Sequence, residues 1–148
     1  MIVPAKVNDM KRIFSTDNTS SANASLLVLR IGLAALMLTH GLPKLMMLLG
    51  SGPIQFPPAL GLSSEATLLL AVCAEVLCTV FVLAGLATRL AVIPLMITML
   101  VAALIIHGSD PFTKQEPALL YLLICTTLLI GGSGKYSLDY VLLNRAGH

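Results

Sequence analysis

The stretch Leu26 to Leu49, LLVLRIGLAALMLTHGLPKLMMLL, constrains the chain more than any other. About 20 apolar residues at a 1.5 Å rise cross a hydrocarbon core of ~30 Å, so this run reads as a transmembrane helix. Arg30, His40 and Lys44 stand inside it. Ionisable groups at such depth are costly and face protein or water rather than lipid. At 3.6 residues per turn, Lys44 lies roughly 40° and His40 roughly 80° from Arg30, so the three share one face. Met37 and Gly41 lie on that face too. The rest of the chain is expected to shield this polar stripe or to answer it.

Composition supports a membrane protein. Of 148 residues, 57% are hydrophobic and only 11% charged, against roughly 25% charged in soluble domains. A net charge of +2 without a Lys/Arg cluster gives no reason to expect nucleic acid. There is no Trp, so Tyr121, Tyr136 and Tyr140 are the candidate interfacial anchors. No continuous apolar run precedes the first span, which is expected to act as an uncleaved signal anchor. Residues 1–22 read as a flexible cytoplasmic tail and 23–148 as one membrane domain. Cys73, Cys78 and Cys125 all fall in apolar spans, and no C-x-x-C occurs. Disulfide-exchange chemistry needs adjacent thiols, so the cysteines are expected to be unpaired and dispensable.

The first span is expected over Leu26–Leu48, with Ser25 as N-cap and Pro43 kinking it beside His40 and Gly41. Three prolines make Gly50–Ser64 a loop, with Phe56, Leu60 and Leu62 near the interface and Ser64 capping the next helix. A second span follows over Glu65–Ala87, with Glu75 near its centre and Cys78 and Thr79 on its face. The short turn Gly85–Arg89 makes spans two and three antiparallel neighbours. The third runs from Leu90 to Ile106, with Pro94 in or just past its first turn, and ends at His107-Gly108. The fourth is expected from about Glu116 to Ile130, or back to Phe112. G-G-S-G at 131–134 ends it, and LDYVLLNR, capped by Ser137, reads as a short amphipathic helix on the membrane surface. Lys6, Lys11, Arg12, Arg30, Arg89, Lys135 and Arg145 lie on the terminal side, against Lys44 and Lys114 on the other. That asymmetry places both termini in the cytoplasm. The expected fold is all-α: a four-helix transmembrane bundle.

Several short patterns then coincide: L-R-I-G-L and H-G-L-P-K-L in the first span, L-G-L in the loop, A-E-V-L in the second span, A-G-L-A-T-R-L-A at the turn, and G-K-Y-S-L-D near the end. In this order and spacing, over roughly residues 26–140, the chain resembles the DoxX family of small bacterial membrane proteins. The resemblance implies a four-helix protein of the bacterial inner membrane linked to sulfur and redox chemistry. One branch resembles the membrane subunit of thiosulfate:quinone oxidoreductases, and other members are associated with oxidative-stress complexes. Carried over by position, Arg30, His40, Gly41, Lys44, Glu75, Arg89, His107 and Glu116 become candidate site residues. Fold follows from family far better than function does.

Depth decides which of these groups meet. His40 lies about 12 Å and Glu75 about 15 Å in from the same side, with Lys44 one turn shallower and within reach by its long stem. Arg30 lies toward the opposite side, about 9 Å from Glu75 in depth, turned inward or snorkelling outward. Arg89 is expected to snorkel. One reading is a buried pocket for a quinone or a small sulfur anion, with Glu75 and His40 as catalytic proton carriers; the other is an ion-pair network that holds the helices in register. His40 and His107 sit on parallel spans, as in haem-binding bundles, but His107 is about 10 Å shallower. With no E-x-x-H pair either, no metal or haem is expected. His107, Asp110 and Glu116 read as an outer rim. Without a flavin fingerprint or cluster cysteines, the chain is at most a subunit of a quinone-linked oxidoreductase. Its expected partners are the lipid bilayer, a redox-enzyme subunit and a second copy of itself. A scaffold of an oxidative-stress complex and a small-molecule or ion carrier are the alternatives.

Overall fold

A computed structural model describes residues 19–146, and every regular element in that range is helical. The helices are α1 (Thr19–Leu49), α2 (Ser64–Ala84), α3 (Thr88–Ile106), α4 (Phe112–Gly131) and α5 (Leu138–Ala146). The first three are long and apolar enough to cross a membrane. In α4 the opening Lys114, Gln115 and Glu116 leave a shorter apolar run. Packing closes into a ring: α1 meets α2 and α4, and α3 meets the same two. The core they share includes Leu33, Met37, Val82, Val92, Leu95, Met99, Cys125 and Leu128. Outward faces are apolar as well, with Val28, Leu36, Leu70, Leu77, Leu104 and Leu123 exposed. A polypeptide apolar inside and out is solvated by lipid rather than water. The described residues therefore form a multi-pass membrane protein.

Several boundaries differ from expectation. The first helix begins at Thr19, seven residues early, and Ser25 is inside it, its hydroxyl bonded to the Ser21 carbonyl at 2.9 Å rather than capping. Residues 19–22 of the expected tail are thus helical; the remainder of that tail, residues 1–18, lies outside the described residues. Ser63, not Ser64, caps α2, accepting from the Ala66 N–H at 3.3 Å. That helix stops at Ala84, where Gly85 takes a left-handed φ of 70°. The fourth helix does reach back to Phe112. Pro43, Pro94 and Pro117 are all accommodated inside helices. Two stretches are π-helical, Cys73–Cys78 within α2 and Ala102–Ile106 at the end of α3. Periodicity at 3.6 does not announce such turns, which hold an extra residue and recur at functional sites.

Candidate functional site

Glu75 lies in the π-helical turn of α2 and is 1% exposed. A carboxylate there has no lipid-side partner, and Lys44 of α1 supplies one: Nζ lies 2.5 Å from Oε1. Gly41, one turn before Lys44, makes this approach possible. A Cβ at Gly41 would sit 2.9 Å from the Glu75 carbonyl oxygen and 2.9 Å from Cγ2 of Val76. The bare glycine lets α1 press against the π turn. Lys44 keeps 26% side-chain exposure, and its Nζ stands 5.7 Å from the centroid of Phe56 in the 50–63 loop. Such a cation–π contact adds a second, weaker hold on the ammonium. The other carboxylate oxygen, Oε2, is buried with no hydrogen-bond partner among the described residues, as is Oγ1 of Thr79 one turn on.

Two cavities meet at this pair. The larger, a cleft of about 370 Å³, lies between the 50–63 loop, α2 and α3; Phe56, Leu60, Leu70, Ile97, Val101 and Ile106 line it, with Lys44, Glu75 and His107 as polar groups. The smaller, about 150 Å³, lies among α1, α3 and α4; Met37, His40, Met99, Ala118 and Tyr121 line it beside the same Lys44, Glu75 and His107. His40 is not ion-paired with Glu75. It packs edge-on to Tyr121, with ring centroids 5.9 Å apart and planes at 81°. His107 ends α3 and bonds through Nδ1 to Asp110 at 2.8 Å. That bond holds the Asp110 carboxyl below the ordinary carboxylate range, with Lys114 adding to it. Gln115 secures the same turn by donating to the His107 and Asp110 carbonyls.

Of the candidate residues, His40, Gly41, Lys44, Glu75 and His107 therefore converge. Glu116 does not: it is exposed on the first turns of α4 and lines neither cavity. Arg30 and Arg89 belong to the opposite end of the helices. Arg30 is 1% exposed and turns inward, donating through Nη2 to the Tyr136 carbonyl, while Nε and Nη1 have no hydrogen-bond partner among the described residues. Gly85 lies against it; a Cβ there would come 1.9 Å from Nη1 and 2.5 Å from Cβ of Ser137. Asp139 accepts from the N–H groups of Ala87 (2.7 Å) and Thr88 (3.3 Å), capping α3 from a distant part of the chain. Arg89 donates to the Ile130 carbonyl at 3.0 Å. The surface hollow at this end, about 380 Å³, is lined by Arg89, Gly131–Gly134 and Asp139 but not by Arg30.

Tyr121 and Phe56 were not foreseen as site residues. A tyrosine within an apolar span is the one signal for the first, because a buried phenol needs a polar partner. For Phe56, the signal is an apolar residue in a proline-rich loop. All three cysteines are free: Cys73 is exposed, Cys78 half-buried and Cys125 buried. Among the described residues no three His, Cys, Asp or Glu side chains cluster as metal ligands would. Compared with known families, the chain matches the DoxX model over residues 25–108, which takes in most of α1, all of α2 and α3, and the converging His40, Gly41, Lys44, Glu75 and His107, but not the α4 residues of the smaller cavity. No curated protein and no solved structure matches.

Proposed function

The chain belongs to the DoxX family, and on that premise we propose that it is an inner-membrane subunit that binds the head of a quinone at the Lys44–Glu75 pair. The observation that carries this reading is the pair itself: a buried carboxylate with one oxygen bonded and one bare, at the floor of an apolar cleft. A quinone offers a flat apolar ring and a carbonyl oxygen. The ring suits walls of Phe56, Leu60, Ile97 and Val101, the carbonyl suits the Lys44 ammonium, and a quinol hydroxyl suits the bare Glu75 oxygen. Leu70 and Ile97, both exposed, edge the cleft, so in a bilayer it opens toward the acyl chains that carry quinones. A small sulfur anion fits less well, since a neutral ion pair offers it no surplus positive charge.

Quinone reduction takes two electrons and two protons. Lys44, Glu75 and His40 handle protons only, so the electrons come from a redox centre on a partner chain. The helix α4 is read as a fourth span: its 20 residues reach about 30 Å at 1.5 Å each. Four spans with the Lys/Arg asymmetry put both termini in the cytoplasm. Reporters fused at Gln55 and at His148 should then report opposite sides of the membrane.

Purification from native membrane in mild detergent, followed by organic extraction, tests the ligand. The expected result is near-stoichiometric quinone in the wild type and its loss in Glu75→Gln and Lys44→Met. Wild type free of quinone and unable to take up a short-tailed quinone would overturn the reading. Stress enzymes co-purifying with such a quinone-free protein would favour the scaffold instead.

A further inference from the structure

The two cavities at the ion pair differ in chemistry. Lys44, Glu75 and His107 line both; to these the cleft adds apolar walls with Thr67 and Thr98 among them. The smaller cavity adds His40 from α1 and Tyr121 from α4, so half of its lining residues hold or pass protons, and His107 at the end of α3 is itself bonded to Asp110. The 50–63 loop contributes nothing to it. Its volume of about 150 Å³ has room for a few waters, each occupying about 30 Å³ in the liquid. Water there would have the two to four polar partners it needs. Glu75 Oε2 is buried and bare. Neither the ring nitrogens of His40 nor the Tyr121 hydroxyl has a hydrogen-bond partner among the described residues; their mutual contact is ring against ring. His107 uses Nδ1 for Asp110 and is only half-buried, so a cavity-lining residue also reaches solvent.

We propose that the smaller cavity is an aqueous port through which Glu75 exchanges protons with the solution on the His107 side of the membrane. The Lys44–Glu75 pair is then a partition. On one side lies the apolar cleft for the ligand; on the other lies water in contact with bulk. A proton taken up from the port onto the carboxylate is the proton handed across to a ligand oxygen, and the lysine ammonium keeps the charge balanced while the carboxylate reloads. The direction matters: protons used at this site are drawn from the side opposite the α1 N-terminus. This deepens the quinone reading, yet its test involves no quinone, so either can fail without the other.

The test uses the full chain with Cys73, Cys78 and Cys125 changed to Ala, in sealed vesicles of uniform orientation. Single cysteines go into the port wall (Met99→Cys, Ala118→Cys) or the cleft wall (Ala71→Cys, Thr98→Cys). The probe is methanethiosulfonate ethyltrimethylammonium, whose fixed quaternary charge keeps it from crossing membranes. Thiols react as thiolates, which form only where water reaches them, so port positions should label about tenfold faster or more than cleft positions. The labelling should come from the His107 side. Two positions per wall cover the case where one variant fails to fold, judged by monodispersity in detergent. Port cysteines inert from both sides, labelled only from the opposite side, or labelled no faster than cleft cysteines would overturn the proposal.

Discussion

The molecule holds a cation toward each end of α1, Arg30 buried and Lys44 half-buried, and treats the two in opposite ways. Lys44 meets a carboxylate, and around that pair the structure stays open: two cavities, a bare oxygen and a π-helical turn in each of α2 and α3. Arg30 meets a backbone carbonyl; its Nε and Nη1 are bare too, but none of the three hollows reaches it and the chain around it is closed. Gly85 leaves no room beside the guanidinium, Asp139 caps α3, Arg89 closes the end of α4, and Asn23 accepts from the Lys135 N–H at 2.8 Å. The short patterns that marked the chain divide accordingly. L-R-I-G-L, A-G-L-A-T-R and G-K-Y-S-L-D build the closed end, whereas H-G-L-P-K and A-E-V-L build the open one. A buried ionisable group in a membrane helix is thus no proof of a site; what surrounds it decides.

The comparison breaks first, and hardest, at Gly85. Its φ of 70° already disfavours a side chain, and an added Cβ would overlap Arg30 and Ser137. Left-handed strain of about 1–2 kcal/mol joins an overpacking cost of about 1–3 kcal/mol. Gly85→Ala should therefore leave little folded protein by size-exclusion profile and thermal midpoint. Gly32→Ala, where a Cβ meets nothing within 4 Å, should behave as wild type. Equal midpoints for the two variants would mean that the closed end is not closed.

At the open end the expected effects are large but separable. Glu75→Ala strands Lys44; breaking a buried pair costs about 3–5 kcal/mol, and the partial exposure of Lys44 puts this case at the lower end or below. Glu75→Gln keeps shape and a hydrogen bond, so it should unfold later than Glu75→Ala while losing ligand binding as fully. Adding Lys44→Met to Glu75→Ala should recover part of the lost thermal midpoint and none of the binding. Recovery of both would reduce the pair to a structural brace. No rise in midpoint would mean that the 2.5 Å contact contributes nothing to stability.

The two ends also differed in how far they could be read in advance. Arg30, His40 and Lys44 on one face, with Glu75 at the depth of His40, were legible because ionisable groups in an apolar run can be placed by rise and angle alone. The choice of Lys44 over His40 as the carboxylate's partner was not. It depends on the π turn at Cys73–Cys78, which resets the helix phase, and on the close approach at Gly41. Arg30 was legible as a cation inside the span, but not whether it turns inward or snorkels outward, because its partner is a carbonyl 106 residues away, and carbonyls leave no mark in a sequence. Ser25 looked like a cap because an apolar run began after it; Thr19 to Ala24 extend the helix through polar positions that periodicity of apolar residues cannot see.

A smaller effect is expected at Asp139. Its carboxylate serves two N–H groups at the start of α3, and losing an N-cap costs about 0.5–2 kcal/mol. Asp139→Ala should lower the unfolding free energy by an amount in that range, read as a lower thermal midpoint, and Asp139→Asn by less, since an amide oxygen still accepts. Neither should alter quinone content. A change in quinone content with an unchanged midpoint would couple the closed end to the open one and erase the distinction between them.

The smallest effect belongs to the rim of the open end, and it concerns pH. The His107 hydrogen bond holds the Asp110 carboxyl below its ordinary value of 3.8. A carboxyl depressed on folding contributes stability that is fully present above its unfolded value and is lost as pH falls through the lower, folded one. The contact therefore operates unchanged at neutral pH and disappears only in acid below the ordinary aspartate range. Both side chains are about one-third exposed, so the contribution is screened. The turn also keeps the two Gln115 amide bonds and the Asp110 N–H to His107 carbonyl bond at 3.0 Å, none of which titrates. Loosening should thus be local. Hydrogen exchange at the Asp110 amide, corrected for intrinsic rate, should quicken by about twofold as the carboxyl is protonated, a size fitting a screened surface pair. Asp110→Asn should show the quicker exchange at every pH and no acid transition. An acid transition that persists in the Asn variant would assign it to another group and remove Asp110 from the rim's hold on His107.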